Sequence, residues 1–177
     1  MKKAKSIIFN LIFVVLCVVV AYFLSNYLFA SIPIEGISME QTIHHDDIVI
    51  VFKPGKYNVG DVVVFDPDYG DRKRLIKRII GMPGDTIEIK EEADGYYVYR
   101  NGEKLIEDYT NKDNPMVGTY GPVTVPEGKF FYLGDNRGSS SDSRLGYLGD
   151  LDTIVGRVIL RYQPGDKKFD LTVVKRG

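Results

Sequence analysis

Leu75-Ile76-Lys77-Arg78-Ile79-Ile80-Gly81-Met82-Pro83-Gly84-Asp85 decides the fold. From Arg74 to Ile80 the residues are β-branched or apolar apart from three basic ones, which reads as a strand. Gly81 and the Pro83-Gly84-Asp85 turn end it. Lys77 sits among Ile76, Ile79 and Ile80, the setting of a lysine that works without its charge. Desolvation among apolar side chains lowers a lysine pKa from its reference of about 10.4. A base near neutrality needs roughly 7–8. Arg78 faces the opposite side of a strand, away from that amine, and suits a structural ion pair.

Outward from this strand the chain keeps reading as β. Before it come Asp46–Phe52, the Val59-Gly60-Asp61 turn, Val62–Phe65 and a turn-rich Asp66-Pro67-Asp68-Tyr69-Gly70-Asp71. After it come Thr86–Lys90, a polar turn at Glu91–Gly95, and a hairpin of Tyr96–Arg100 with Glu103–Ile106. Asn101-Gly102 between those arms suits a type I′ turn. Asn111–Gly121 reads as a mobile loop. Val123–Val125 and Lys129–Leu133 are strands, Gly156–Tyr162 closes the domain, and a basic tail follows Pro164. The tyrosines of the hairpin suit sheet packing better than base stacking, because the charge around them is mixed.

Nearer the N-terminus, Ser31–Glu35 is extended around Pro33. Gly36-Ile37-Ser38-Met39-Glu40-Gln41-Thr42 then offers a small nucleophile beside a flexible glycine. A serine hydroxyl needs a base before it attacks anything, and a neutral Lys77 can supply one. His44 and His45 are adjacent on an extended segment and face opposite ways, which suits neither a shared metal nor a catalytic pair.

Ahead of this lies an apolar run from Ile7 to Ala30, preceded by Lys2, Lys3 and Lys5. It reaches the roughly 20 residues a membrane helix requires and is apolar on all faces. It is longer than the core of a cleaved signal peptide, and Leu28-Phe29-Ala30 is a poor cleavage site. Tyr22, Tyr27 and Phe29 suit an interface. The lysines place residues 1–6 in the cytoplasm and the rest outside, as a single-pass protein of the cell membrane in contact with its lipid.

The whole chain of 177 residues has a net charge of −1, which gives no attraction to nucleic acid. Its single cysteine, Cys17, and two histidines offer no recognisable zinc site and imply no cofactor.

Taken in order, the anchor, Ser38-Met39, Gly60-Asp61-Val62-Val63-Val64-Phe65, Lys77–Asp85 and Gly134-Asp135-Asn136-Arg137-Gly138-Ser139-Ser140-Ser141-Asp142-Ser143-Arg144 resemble the type I signal peptidase family. The similarity is to its Gram-positive members and covers nearly the whole chain. It implies a mainly β fold: a transmembrane helix (7–30), a β-sheet or barrel catalytic domain (31–87 and 122–177) and a smaller variable β insertion (88–121). The implied activity is a membrane-bound serine endopeptidase that removes signal peptides from exported preproteins after small residues. Ser38 would be the nucleophile and Lys77 the general base. The Ser38 N–H and a second donor would hold the oxyanion; glycine occupies position 36, where another branch of the family has a donor serine. Ser140 would orient the Lys77 amine, and Asp142 would pair with Arg144 and Arg78. Ile32, Ile34, Met39, Ile43, Leu75 and Ile76 would line two shallow substrate pockets, although some of these residues also suit plain core packing. Gln41 stands where the family has proline. That departure supports an alternative: a pilus-assembly member, peptidase or chaperone-like, with pilin subunits as a narrow client set.

Overall fold

The computed structural model describes residues 2–68, 74–164 and 171–174. Met1, the Tyr69-Gly70-Asp71 half of the expected turn and most of the tail beyond Pro164 lie outside the described residues. The chain opens with α1 (Lys2–Leu28), a helix about 40 Å long at 1.5 Å per residue. From Ile7 to Leu28 it is long and apolar enough to cross a membrane, and it is not buried by the described residues. It stops at Leu28, so Phe29 and Ala30 of the apolar run instead begin a strand.

That strand, β1 (Phe29–Pro33), follows without a linker. The junction is held by Lys53, whose backbone N–H donates to the Leu28 carbonyl (2.9 Å) and whose Nζ donates to the Asn26 carbonyl (2.8 Å). Helix ends leave carbonyls without intrahelical donors, and a cation there also suits the helix dipole.

Two antiparallel sheets form the rest. The larger contains β1, β2 (Ile48–Phe52), β3 (Val62–Phe65), β4 (Leu75–Gly81), β9 (Lys129–Leu133), β10 (Gly149–Asp150), β11 (Ile154–Tyr162) and β12 (Leu171–Val173). Its order is β1-β2-β11-β3-β4-β9-β10, with β12 added on β11. The smaller has β5 (Thr86–Glu92), β6 (Gly95–Arg100), β7 (Glu103–Lys104) and β8 (Tyr120–Thr124), in the order β7-β6-β5-β8. It therefore begins at Thr86 and ends at Thr124, slightly beyond the 88–121 stretch read from the sequence.

The hairpin between β6 and β7 turns at Asn101 (φ 54°) and Gly102 (φ 83°). Both central residues are left-handed, as a type I′ turn requires. Its second arm is shorter than expected: Leu105 keeps one bond to Val98 (2.9 Å), and Ile106 already points into solvent.

The strand expected to close the domain is instead central. β11 pairs with β2 on one side and β3 on the other, with a register shift in each ladder. Periodicity reports burial but not neighbour order, and both readings need the same apolar residues. Val158 of β11 packs with Val49, Val51, Val62, Val64 and Ile76 in one apolar cluster. A second cluster holds the sheets together through Ile80 and Phe131 of one and Ile87, Ile89 and Val98 of the other.

Gly156 marks where β11 and β2 approach closely. A Cβ there would stand 2.5 Å from the Phe52 carbonyl oxygen and 2.9 Å from the Lys53 Cα, both backbone atoms that cannot swing away. Gly156→Ala is therefore expected to destabilise the protein by about 1–3 kcal/mol through overpacking. Chemical denaturation in detergent measures this.

Candidate active site

Three segments meet at the site. The first is the β1–β2 connection, residues 34–47. Its ends are zipped by Ile34 N–H to the Asp47 carbonyl (2.9 Å) and Asp46 N–H to the Ile34 carbonyl (3.0 Å). Between them the chain leaves the sheet at Gly36 (φ 107°) and makes a tight turn, in which Thr42 and Ile43 both donate to the Met39 carbonyl. Met39 and Ile43 are buried and anchor the turn to the core, so Ser38 is presented at a fixed height.

The second segment is β4. Lys77 is paired opposite Val63 and is 3% exposed. Its Nζ lies 2.7 Å from Ser38 Oγ and 2.8 Å from the Ile76 carbonyl oxygen. Thus two side chains 39 positions apart share a hydrogen bond with the amine out of solvent.

The third segment is the β9–β10 connection. Its Asn136 clamps the Ser38 turn twice, through N–H to the Ser38 carbonyl (3.0 Å) and Nδ2 to the Ile37 carbonyl (2.9 Å). Gly134 is there because nothing larger fits: a Cβ would lie 2.3 Å from Ser140 Oγ and 2.4 Å from the Ser38 carbonyl oxygen. Asp142 accepts from Gly134 N–H (3.2 Å) and binds Arg144 through Nε (2.7 Å) and Nη2 (2.9 Å).

Two expected contacts take another form. Ser140 Oγ is buried beside Gly134 and, among the described residues, makes no hydrogen bond to the Lys77 amine or to any other group. Arg78 pairs with Asp135 rather than Asp142: Nε and Nη2 reach its two carboxylate oxygens at 2.9 and 2.7 Å, with both side chains almost fully buried. Sequence spacing cannot choose between two aspartates in one loop; the register of β4 against β9, with Arg78 opposite Leu133, sets Asp135 nearer. Asp135 also accepts from Thr42 Oγ1 (2.5 Å), so one carboxylate ties the turn bearing Ser38 to the strand bearing Lys77.

Other groups of the site were given no role by the sequence. Arg137 is 3% exposed, donates to the Gly134 carbonyl (3.0 Å) and forms a two-pronged pair with Glu107 (2.8 and 2.6 Å). Burial works against the Arg137 charge, and Glu107 more than offsets it, so the guanidinium is held above its usual range. Tyr109 lies under the Arg78 guanidinium at 3.9 Å. Burial, then the Glu107 carboxylate, pushes its phenol far up, so the hydroxyl stays a donor to Glu107.

The expected pocket residues divide. Ile32, Ile34, Leu75 and Ile76 line a cleft of about 690 Å³ together with Val64. Met39 and Ile43 lie in the core beneath. At the cleft rim Asp66 is paired with Arg74 at 2.9 and 3.1 Å, which holds its carboxyl below the usual range. Gly36 gives its N–H to His45 Nδ1 (3.0 Å), while His44 contacts Arg161 (2.7 Å). The two histidines thus serve different neighbours. Gln41 has φ 84°, a value closed to proline, so the turn behind Ser38 is built differently from one with proline there.

A family model described as "Signal peptidase, peptidase S26" matches residues 7–163. Signal peptidase I of Bacillus licheniformis is 38% identical, over 78% of this chain and 78% of that protein. Signal peptidase I S of Bacillus subtilis (strain 168) is also 38% identical, over 81% of this chain and 82% of its own length. Signal peptidase IB of Staphylococcus aureus (strain COL) is 33% identical over 90% and 91%. The chain belongs to the signal peptidase family, peptidase S26. It is a serine endopeptidase, and its apolar N-terminal helix anchors it to a membrane.

Gly134→Ala is expected to push Ser140 and the Ser38 carbonyl apart. A displacement near 1 Å costs a rate about 10²-fold. Cleavage of a precursor, compared with the circular dichroism of the same sample, measures this.

Proposed function

We propose that Ser38 is the nucleophile and Lys77 the general base in removing signal peptides from exported preproteins, the reaction of this family. The observation that carries this reading is the 2.7 Å contact between Ser38 Oγ and an almost wholly buried Lys77 amine. A neutral amine accepts the hydroxyl proton as Oγ bonds to the scissile carbonyl carbon. The negative charge moves to the carbonyl oxygen, with the Ser38 N–H as one donor to it. The ammonium then returns its proton to the departing amine, leaving an acyl-enzyme. Water, deprotonated by the same lysine, hydrolyses the acyl-enzyme.

The substrate lies as an added strand in the cleft. Two edges support this. β1 pairs with β2 along one side, and the β4–β9 ladder starts only at Arg78, leaving Leu75–Lys77 unpaired by β9. Ile32, Ile34, Leu75 and Ile76 leave shallow apolar hollows, which favour small residues such as alanine next to the cut. The apolar helix, ending at Leu28, holds the catalytic unit outside the membrane, against lipid, with residues 1–6 in the cytoplasm and the smaller sheet, Thr86 to Thr124, inserted. The basic residues at the start of the helix, ahead of its apolar part, support that orientation.

Ser38→Ala and Lys77→Ala are each expected to reduce cleavage of a preprotein to background while melting like the wild type. Offered a general preprotein and a pilin precursor side by side, the enzyme is expected to cleave the general preprotein. Cleavage of the pilin precursor alone would favour the narrow client set.

A further inference from the structure

Three arginines surround the Ser38–Lys77 contact, and each is answered by one carboxylate. Arg78 has Asp135 and Arg144 has Asp142, both acids coming from the β9–β10 connection itself. The partner of Arg137 comes from elsewhere: Glu107 lies in the connection between β7 and β8, beyond the hairpin of the smaller sheet.

The bonds of that connection converge. Glu107 holds the Arg137 guanidinium from two sides. Arg137 in turn holds the Gly134 carbonyl through Nε, and its own carbonyl accepts Arg144 Nη2 (2.7 Å). Two residues on, Tyr109 donates to Glu107 (2.8 Å) and supports the Arg78 guanidinium with its ring. Asn111 N–H donates to the Asp135 carbonyl (3.0 Å). Asn114 Nδ2 reaches both Asn136 Oδ1 (2.7 Å) and Ser139 Oγ (2.8 Å). The stretch read as a mobile loop is thus tied, through Asn111 and Asn114, to the motif that clamps Ser38.

We infer that Glu107 and Tyr109 are positioning residues for the peptidase reaction, fixing the loop at Gly134–Arg137 and through it the Ser38 carbonyl opposite Lys77. This rests on the Ser38–Lys77 reading. A buried ion pair adds little net stability against an apolar replacement, but it fixes direction and distance. The connection has an independent hold on the body through Met116, buried in the cluster between the sheets. Loss of the Glu107 charge should therefore be felt in geometry at the site more than in attachment of the loop.

The test uses the full chain in detergent and a synthetic preprotein fragment with alanine beside the cut, with active sites titrated by a serine-acylating inhibitor. Glu107→Gln is expected to lower kcat per titrated site about 100-fold, the cost of about 1 Å of misplacement, with KM changed less than about twofold. Glu107→Asp, which keeps the carboxylate, should recover at least about tenfold of that loss. Tyr109→Leu should lower kcat in the same way, and it serves as the readout should Glu107→Gln fail to fold. Wild-type kcat per titrated site in Glu107→Gln, or in Tyr109→Leu where that is the readout, overturns the inference, whatever the melting temperature. Equal losses in Glu107→Asp and Glu107→Gln do so as well. Ser38→Ala, run alongside, separates the two failures: residual cleavage there sinks the catalytic reading beneath, whereas a dead Ser38→Ala with a fully active Glu107→Gln sinks the positioning role alone.

Discussion

An amine withdrawn from water and held 2.7 Å from a hydroxyl is the constraint around which this protein is built. Burying a lysine disfavours its charge, so the same placement that costs folding energy suits the base proposed for it. Such a group tolerates little drift, because its partner is a single oxygen on a connecting turn. The structure meets this by placing Lys77 on a strand paired along both halves, by β3 and then β9, and by pinning the turn of Ser38 from behind.

The pinning groups are chiefly charged. Arg78, Asp135, Asp142 and Arg137 are all at most 3% exposed. Hydrophobic contacts alone would fill this space, but they are indifferent to small slides. Two-pronged guanidinium–carboxylate pairs are not, since both bonds must align together. Asp135 serves both sides at once, taking two bonds from Arg78 and one from Thr42. A shift of the turn relative to β4 would break a buried pair, which is far more costly than losing an apolar contact.

Much of this was legible in the chain. Strands at Val62–Phe65 and around Lys77 followed from apolar runs with β-branched residues, and the tight hairpin from Asn101-Gly102. The apolar run announced a helix by its length and its lack of charge, though not that its last two residues begin a strand. Order within the sheet was not legible: β11 looks alike at an edge or at the centre, since burial is local and adjacency is not. Within the site, Ser38 and Lys77 stood out by chemical type. Asp135 was visible only as part of a turn-rich motif, and its choice as the partner of Arg78 depends on strand register. Glu107 had no local signal at all, lying in a polar stretch after a hairpin. Ser140 shows the opposite case, a residue whose motif suggested a bond to the amine and whose hydroxyl instead packs against Gly134.

The anchor belongs to the same construction. α1 passes directly into β1, and β1 is a wall of the cleft through Ile32 and Pro33. Ser38 follows Leu28 by ten positions, and an extended chain covers at most about 3.6 Å per residue, so the proposed nucleophile stands within about 36 Å of the helix end. Lys53 fastens that end to the start of the loop beyond β2, which removes the freedom a linker would introduce. A preprotein whose own apolar segment lies in the same bilayer presents its cleavable bond at a height set by that segment. A catalytic cleft on a rigid continuation of a membrane helix meets the bond at a matching height. On the proposed reading, position relative to the bilayer adds a selection beyond the cleft's own contacts with the peptide, because a single methyl distinguishes small side chains only weakly.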